Sequence, residues 1–475
     1  MLFNSFEFLI FFPIVTLCYF LIPGRVRWIW LLVTSYFFYM NWHAEYALLM
    51  AACTVVTFLC SLLIDRFTEK RTRKRVLVCG ILFNIGLLAY FKYTGMFLDI
   101  IQRVCTALDL PVTMPHVSIL LPVGISFYIF QALSYMIDVY KRRVKPERNL
   151  FKYALFVSFF PQLVAGPIER SNRLLRQVSQ PHDFEWKRVR DGLLIMLLGY
   201  FEKVVIADRA AIYVDAVFNN WVYASGSQVA LATVVFAVQD LCDFAGYSYI
   251  AIGAAKVLGI NLMTNFRQPY FAHSVQNFWA RWHISLSTWF RDYIYFPLGA
   301  GRGSRLKKSF NLMVVYTVSG LWHGAALKYV VWGMLNGALQ VVEGLMPAKK
   351  PGHRKTPLII SILWTDFLIL ITMLIFRAGS LSSAFYMLLK IPTEWGVDPL
   401  VTNFSAMQSL CLGVCFAVLF AIELIHEKQM TLTELTDRLP AAVRGALYLA
   451  AVMAIVIFGI WGPGYSAQAF IYFQF

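Results

Sequence analysis

The sequence predicts an all-α, polytopic membrane protein with about 10–12 transmembrane helices, joined by re-entrant or interfacial helices around a central cavity. Three observations carry this reading. Of the 475 residues, 59% are hydrophobic and 14% charged, far from the balance of a soluble domain. The apolar residues are gathered into runs long enough, or nearly long enough, to cross a hydrocarbon core of about 30 Å. The basic residues behind a net charge of +16 fall in short clusters between those runs, as the positive-inside rule expects of cytoplasmic loops.

In chain order, the apolar runs cover 6–22, 27–42, 44–64, 76–98, 118–139, 191–207, 229–259, 311–327, 329–345, 357–377, 403–425 and 443–460. The first has no basic region before it and no small-residue cleavage signal after it, so it is expected to stay as a membrane helix. The basic segments 65–75 and 141–148 are separated by two runs, and both are assigned to the cytoplasm. Counting back places residues 1–5 outside and the Arg25/Arg27 turn inside. The basic segments 302–308 and 349–355 require an even number of crossings, or a re-entrant hairpin, between them. The stretch 426–442 is then cytoplasmic and the tail 461–475 extracytoplasmic. Between 151 and 190 the pattern breaks: a short apolar run is cut by Pro161 and followed by Gly166-Pro167, the signature of a broken, non-spanning element. No repeat of 20–50 residues and no separable soluble segment is apparent, so 1–475 is one domain with a core over 118–345.

Composition and motifs exclude several classes of function. No basic groove with interleaved aromatics supports nucleic-acid binding. The eight cysteines lie mostly within apolar runs, without metal-ligand spacing, and read as small buried hydrophobes. There is no G-x-S-x-G, H-E-x-x-H, P-loop or C-x-x-C pattern, and no histidine is followed five positions on by a carboxylate. Two equivalent halves with interrupted helices, which would favour a transporter, are also missing.

Ionisable groups inside a membrane domain are costly and mark cavities or pathways. His323, in Ser319-Gly-Leu-Trp-His-Gly-Ala, is flanked by Gly320 and Gly324 in an otherwise apolar run. It reads either as a histidine satisfied by a neighbouring helix or as a general base, the commonest task of an imidazole near neutral pKa. His283 is crowded by Trp279, Arg281, Trp282 and Trp289, and a helical reading puts Trp279, Trp282 and His283 on one face. That cluster is either an interfacial aromatic belt or the wall of a cavity. Gln239, Asp240, Asp243, Tyr247 and Ser248 inside the run 229–259 form either a helix-packing network or a substrate contact, and Lys203 and Asp208 are a weaker case of the same kind.

With these residues in view, the sequence resembles the membrane-bound O-acyltransferase family, and within it the subgroup that contains the bacterial alginate O-acetylation membrane proteins. The resemblance lies in Met1-Leu-Phe-Asn-Ser-Phe-Glu-Phe-Leu, Leu121-Pro-Val-Gly-Ile-Ser-Phe-Tyr-Ile-Phe-Gln and Phe159-Phe-Pro-Gln-Leu-Val-Ala-Gly-Pro-Ile. It continues in Asp243-Phe-Ala-Gly-Tyr-Ser, Asn265-Phe-Arg-Gln-Pro-Tyr and Phe278-Trp-Ala-Arg-Trp-His-Ile-Ser-Leu-Ser-Thr-Trp-Phe-Arg-Asp-Tyr. The resemblance implies transfer of an acyl group, most simply acetyl, from a cytoplasmic thioester such as acetyl-coenzyme A toward a cell-envelope or exported polysaccharide, by a multi-pass protein of a bacterial cell membrane. It implies His323 as catalytic base and His283 as its polar partner. Trp322, Asn336, Asp243, Trp282 and Arg281 are the candidate substrate-binding residues. No metal and no bound cofactor is expected, because a thioester is reactive enough without one.

The tail Gly464-Tyr-Ser-Ala-Gln-Ala-Phe-Ile-Tyr472-Phe-Gln-Phe is rich in aromatics. It is either an interfacial anchor or, by resemblance to C-terminal Tyr motifs of surface-polymer acylation systems, the carrier of an acyl relay on the Tyr472 hydroxyl. In the second case the expected partner is an extracytoplasmic, esterase-like (SGNH) acyltransferase. A D-alanyl transfer protein for teichoic acids is the alternative within the family, and a solute transporter the alternative outside it.

Overall fold

Apolar runs in a membrane form helices because every backbone N–H and C=O must be satisfied within the segment, and each of the twelve runs contains a helix among its described residues. The structure, a computed structural model, describes residues 1–115, 120–164, 166–300, 302–346, 357–400 and 404–461. In chain order the helices are α1 (Phe6–Leu21), α2 (Arg27–Met40), α3 (Glu45–Arg66), α4 (Lys70–Ala107), α5 (Ile125–Tyr140), α6 (Leu150–Ser158), α7 (Phe160–Leu163), α8 (Ser171–Val178), α9 (Trp186–Tyr200), α10 (Asp208–Phe218) and α11 (Gly226–Val257). They continue as α12 (Val275–Arg281), α13 (Ile284–Phe290), α14 (Arg305–His323), α15 (Leu327–Leu345), α16 (Leu358–Arg377), α17 (Leu381–Thr393), α18 (Ala406–Glu427), α19 (Leu432–Asp437) and α20 (Ala441–Phe458). No strand occurs among the described residues.

Six helices, α3, α4, α11, α16, α18 and α20, are long and apolar enough to cross a membrane on their own. Several of the other runs are shorter and owe their place to burial in protein. Helix α5 has 14 buried residues in its 16, so Gln131 and Asp138 are enclosed by side chains. At the other extreme, α18 and α20 expose most of their apolar surface, as lipid-facing helices do.

The expected break between 151 and 190 is present. Helix α6 ends at Ser158, α7 is a single turn starting beside Pro161, and the chain reaches α8 without spanning. The run 191–207 is also more complex than a single span, because its last part, Phe201–Ala207, widens into a π-helical turn that feeds α10.

Small residues set a close helix crossing. Gly192 and Gly199 on α9 face Gly253 and Gly246 on α11, antiparallel and in register seven residues apart. A Cβ on Gly246 would lie 2.7 Å from the carbonyl oxygen of Gly199. Just beyond this crossing Lys203 is held between Asp208 and Asp243, at 2.8 and 2.5 Å, fully inside the protein. Polar ties join helix ends: Arg73 donates to the Tyr140 carbonyl at 2.8 Å, and Arg190 pairs with Asp437 at 2.7 Å.

Candidate active site

Helix α14 starts on Ser304, whose hydroxyl accepts from the Lys307 amide, and stops at His323 because Gly324 turns to extended backbone. Its last carbonyls therefore need donors from elsewhere. Two neighbouring residues of α4 supply them. Tyr93 donates its hydroxyl to the Leu321 carbonyl at 2.6 Å, and the Lys92 ammonium donates to the carbonyls of Trp322 and of His323, the latter at 3.2 Å. A cation is also what the negative end of a helix dipole favours.

Aromatic faces fix the His323 ring. It lies edge-on to Trp332 with centroids 4.9 Å apart at 81°, to Phe376 at 5.5 Å and 84°, and to Trp322 at 5.0 Å and 83°. The hairpin of α14 and α15 is close because glycines line it. A Cβ at Gly320 would collide with the Tyr329 carbonyl oxygen, and one at Gly324 with the Tyr329 ring.

His283 stands behind the same indole. Its imidazole is 5.9 Å from Trp322, 4.6 Å from Phe244 at 86°, and 6.4 Å from Phe127. The expected continuous helix through Trp279, Trp282 and His283 is not what forms: α12 stops at Arg281, Trp282 is extended, and His283 has φ +44°. That left-handed conformation is uncommon for a residue with a side chain. The segment Asn265-Phe-Arg imposes it, since the Ile284 amide donates to the Asn265 carbonyl at 2.9 Å and the Arg267 amide to the Arg281 carbonyl at 3.0 Å. Asn265 is itself fixed by a 2.8 Å hydrogen bond to the Ser248 hydroxyl of α11. Polar residues inside run 229–259 thus help to build the site without reaching into it.

A cavity of about 110 Å³ opens onto His323, walled by Lys92, Trp322, and the segment Val123–Phe127 that leads into α5. It unites the Leu121–Gln131 segment with the histidine segment in one chamber. An imidazole, an ammonium and apolar side chains here surround a space of the size of a small acyl group.

Residues 133–384 match the profile of MBOAT, the membrane-bound O-acyltransferase family. The chain is 37% identical over 391 residues to a probable alginate O-acetylase, AlgI, of Pseudomonas aeruginosa, covering 82% of this chain and 74% of that protein. The chain belongs to the membrane-bound O-acyltransferase family. It is also 32% identical over 417 residues to a peptidoglycan O-acetyltransferase of Helicobacter pylori, covering 81% of this chain and 78% of that protein. Similarity to a teichoic acid D-alanyltransferase of Bacillus subtilis is weaker, 25% over 266 residues and 52% of this chain. The protein is thus an acyltransferase and a multi-pass membrane protein.

Within this membrane-bound O-acyltransferase, the structure brings His323, His283 and Trp322 together and sets the other described candidates outside that contact. Trp282 packs into an aromatic cluster with Phe278, 5.4 Å away and nearly parallel, and with Phe266 at 5.0 Å. Asn336 donates to the Trp332 carbonyl at 2.9 Å, one turn back on α15, and so supports the helix that presents Trp332 to His323. Asp243 is engaged by Lys203, while its neighbour Phe244 is the residue that meets His283. Arg281 points away, making two hydrogen bonds to Glu427 at 2.6 and 3.1 Å and tying α12 to the end of α18. Tyr472 lies outside the described residues.

Sequence reasoning passed over Lys92, Trp332 and Phe376. Lys92 had a readable signal, an ionisable residue inside the apolar run 76–98. Phe376 had none, because an aromatic on an apolar helix carries no mark of the partner it meets 53 residues away in sequence.

Proposed function

We propose that the chain moves an acetyl group from a cytoplasmic thioester, acetyl-coenzyme A, to the export side of a bacterial cell membrane for O-acetylation of an exported or cell-envelope polysaccharide. The observation that carries this reading is the imidazole of His323 at the wall of a small chamber, in a chain related to alginate and peptidoglycan O-acetyltransferases.

In this scheme His323 accepts the proton of an acceptor hydroxyl as that oxygen adds to the thioester carbonyl. Collapse of the tetrahedral intermediate breaks the carbon–sulfur bond. The thiolate leaves with the proton returned by His323, so one ester is formed for each thioester consumed. Lys92, in the wall of the same chamber, is the group toward which the developing oxyanion is drawn. His283 and Trp322 position the base.

The acceptor hydroxyl we assign to Tyr472, at the end of a tail that the charge pattern places outside. Coenzyme A cannot cross the bilayer and a polysaccharide cannot enter it, whereas an ester on a chain terminus can be handed to an extracytoplasmic, esterase-like transferase. Intact-mass measurement of the purified protein after incubation with acetyl-coenzyme A tests this step. One acetyl adduct in the wild type and none in Tyr472→Phe is expected; undiminished acetyl transfer to polymer in Tyr472→Phe would rule out the relay and leave the role of His323 standing.

A further inference from the structure

We propose that Lys92 makes the chamber at His323 selective for the charge of the acyl group, admitting neutral groups such as acetyl and excluding aminoacyl groups such as D-alanyl. The inference rests on the acyl-transfer reading above and narrows it to a substrate class.

Lys92 sits in the middle of α4, in a run of apolar residues, with its ammonium in the wall of the cavity. It is fixed in place from two sides. Two of its N–H groups are committed to the carbonyls of Trp322 and His323, and Nζ lies 5.8 Å from the centroid of the Trp322 ring. The negative end of α14 favours a cation at that point. Apart from His323, Lys92 is the one ionisable side chain among the described lining residues, and those residues include no carboxylate.

Any acyl carbon that reacts at His323 must share this space with the ammonium. An acetyl group brings no charge, and the oxyanion that forms from its carbonyl is drawn toward Lys92. An α-aminoacyl group brings a second ammonium next to the carbonyl carbon, with no carboxylate to pair it. Repulsion over a few ångströms at the effective dielectric of a protein interior corresponds to a rate difference on the order of tenfold or more. The volume of about 110 Å³ fits the smaller group as well. The weaker similarity to D-alanyltransferases is thus reconciled with a different cargo on the same scaffold.

The test separates charge from size by comparing propionyl-coenzyme A with glycyl-coenzyme A, whose acyl groups differ by a methyl in place of an ammonium. Membrane vesicles carrying the full chain are given each labelled donor on the cytoplasmic face, and hydroxylamine-labile label held by the membrane and polymer is counted. The wild type is expected to use the propionyl donor at least about tenfold faster. Lys92→Met, and Ser126→Asp, which sets a carboxylate in the same chamber, are each expected to bring the ratio toward one. A wild-type ratio near one overturns the proposal. So does an unchanged ratio in Ser126→Asp, which decides the matter even where Lys92→Met has lost transfer from both donors. Failure of the wild type to transfer any acyl group, acetyl included, would instead count against the acyl-transfer reading itself.

Discussion

The indole of Trp322 packs against the imidazole of His283, with ring centroids 5.9 Å apart and tilted by 64°, and its next neighbour in sequence is His323. One buried side chain therefore spaces the two histidines. Trp322→Ala is expected to lose roughly 3–5 kcal/mol of stability, as emptying a large aromatic site does, together with most activity. Trp322→Phe, which keeps a ring in the gap, is expected to retain the fold and part of the activity. Thermal melting in detergent, read alongside acetyl transfer in membranes, checks both.

The α14–α15 hairpin fixes where His323 ends up, and it depends on two glycines. A Cβ at Gly333 would collide with the Tyr316 carbonyl oxygen, as one at Gly320 would with that of Tyr329. Gly333→Ala is expected to force the helices apart, with a loss of about 1–3 kcal/mol. Activity should fall by much more than stability, since a base moved by about 1 Å loses on the order of a hundredfold in rate. Gly413→Ala, inside α18 at a position where a Cβ meets nothing within 4 Å, is the control and should leave activity unchanged while stability holds or rises by up to about 1 kcal/mol.

Most of the fold was readable because membrane burial leaves a strong pattern. Every apolar run contains a helix among its described residues, and Pro161 with Gly166-Pro167 marked the broken element. What composition cannot register is local backbone dictated from a distance. The run around His283 reads as a helix, but hydrogen bonds from Asn265 and Arg267 hold it in a break at Trp282 and His283. The site was half legible for the same reason. Histidines flanked by glycine or tryptophan announce themselves within a greasy chain, whereas the Arg281 partner, Glu427, lies 146 residues away.

Asp243 offers a test of packing against substrate contact. Its carboxylate closes a buried triad with Lys203 and Asp208. Asp243→Asn is expected to destabilise the protein by roughly 1–3 kcal/mol, because a neutral amide replaces a charged acceptor of the buried ammonium while Asp208 keeps the cation paired. Lys203→Met combined with Asp208→Leu and Asp243→Leu, which removes every charge of the triad, should recover much of that loss. Recovery of stability with activity restored places Asp243 in the scaffold; stability restored with acetyl transfer still absent would return it to the substrate.

Arg281 should behave as a peripheral tie. It pairs with Glu427 at the partly exposed end of α18, where ion pairs contribute about 0–1 kcal/mol. Arg281→Ala and Glu427→Ala are each expected to leave the Michaelis constant for the thioester within about twofold, and a double-mutant cycle should show coupling between them. A tenfold rise in that constant for Arg281→Ala alone would assign the guanidinium to the donor.

The account stands on His323 as the base that couples a cytoplasmic thioester to a hydroxyl. Single-turnover acetyl transfer from labelled acetyl-coenzyme A, compared between the wild type and His323→Ala at equal levels of folded protein in the membrane, measures that role directly. A fall of roughly 10²- to 10⁴-fold with insertion intact is the result predicted; transfer by His323→Ala at a rate close to that of the wild type would contradict it.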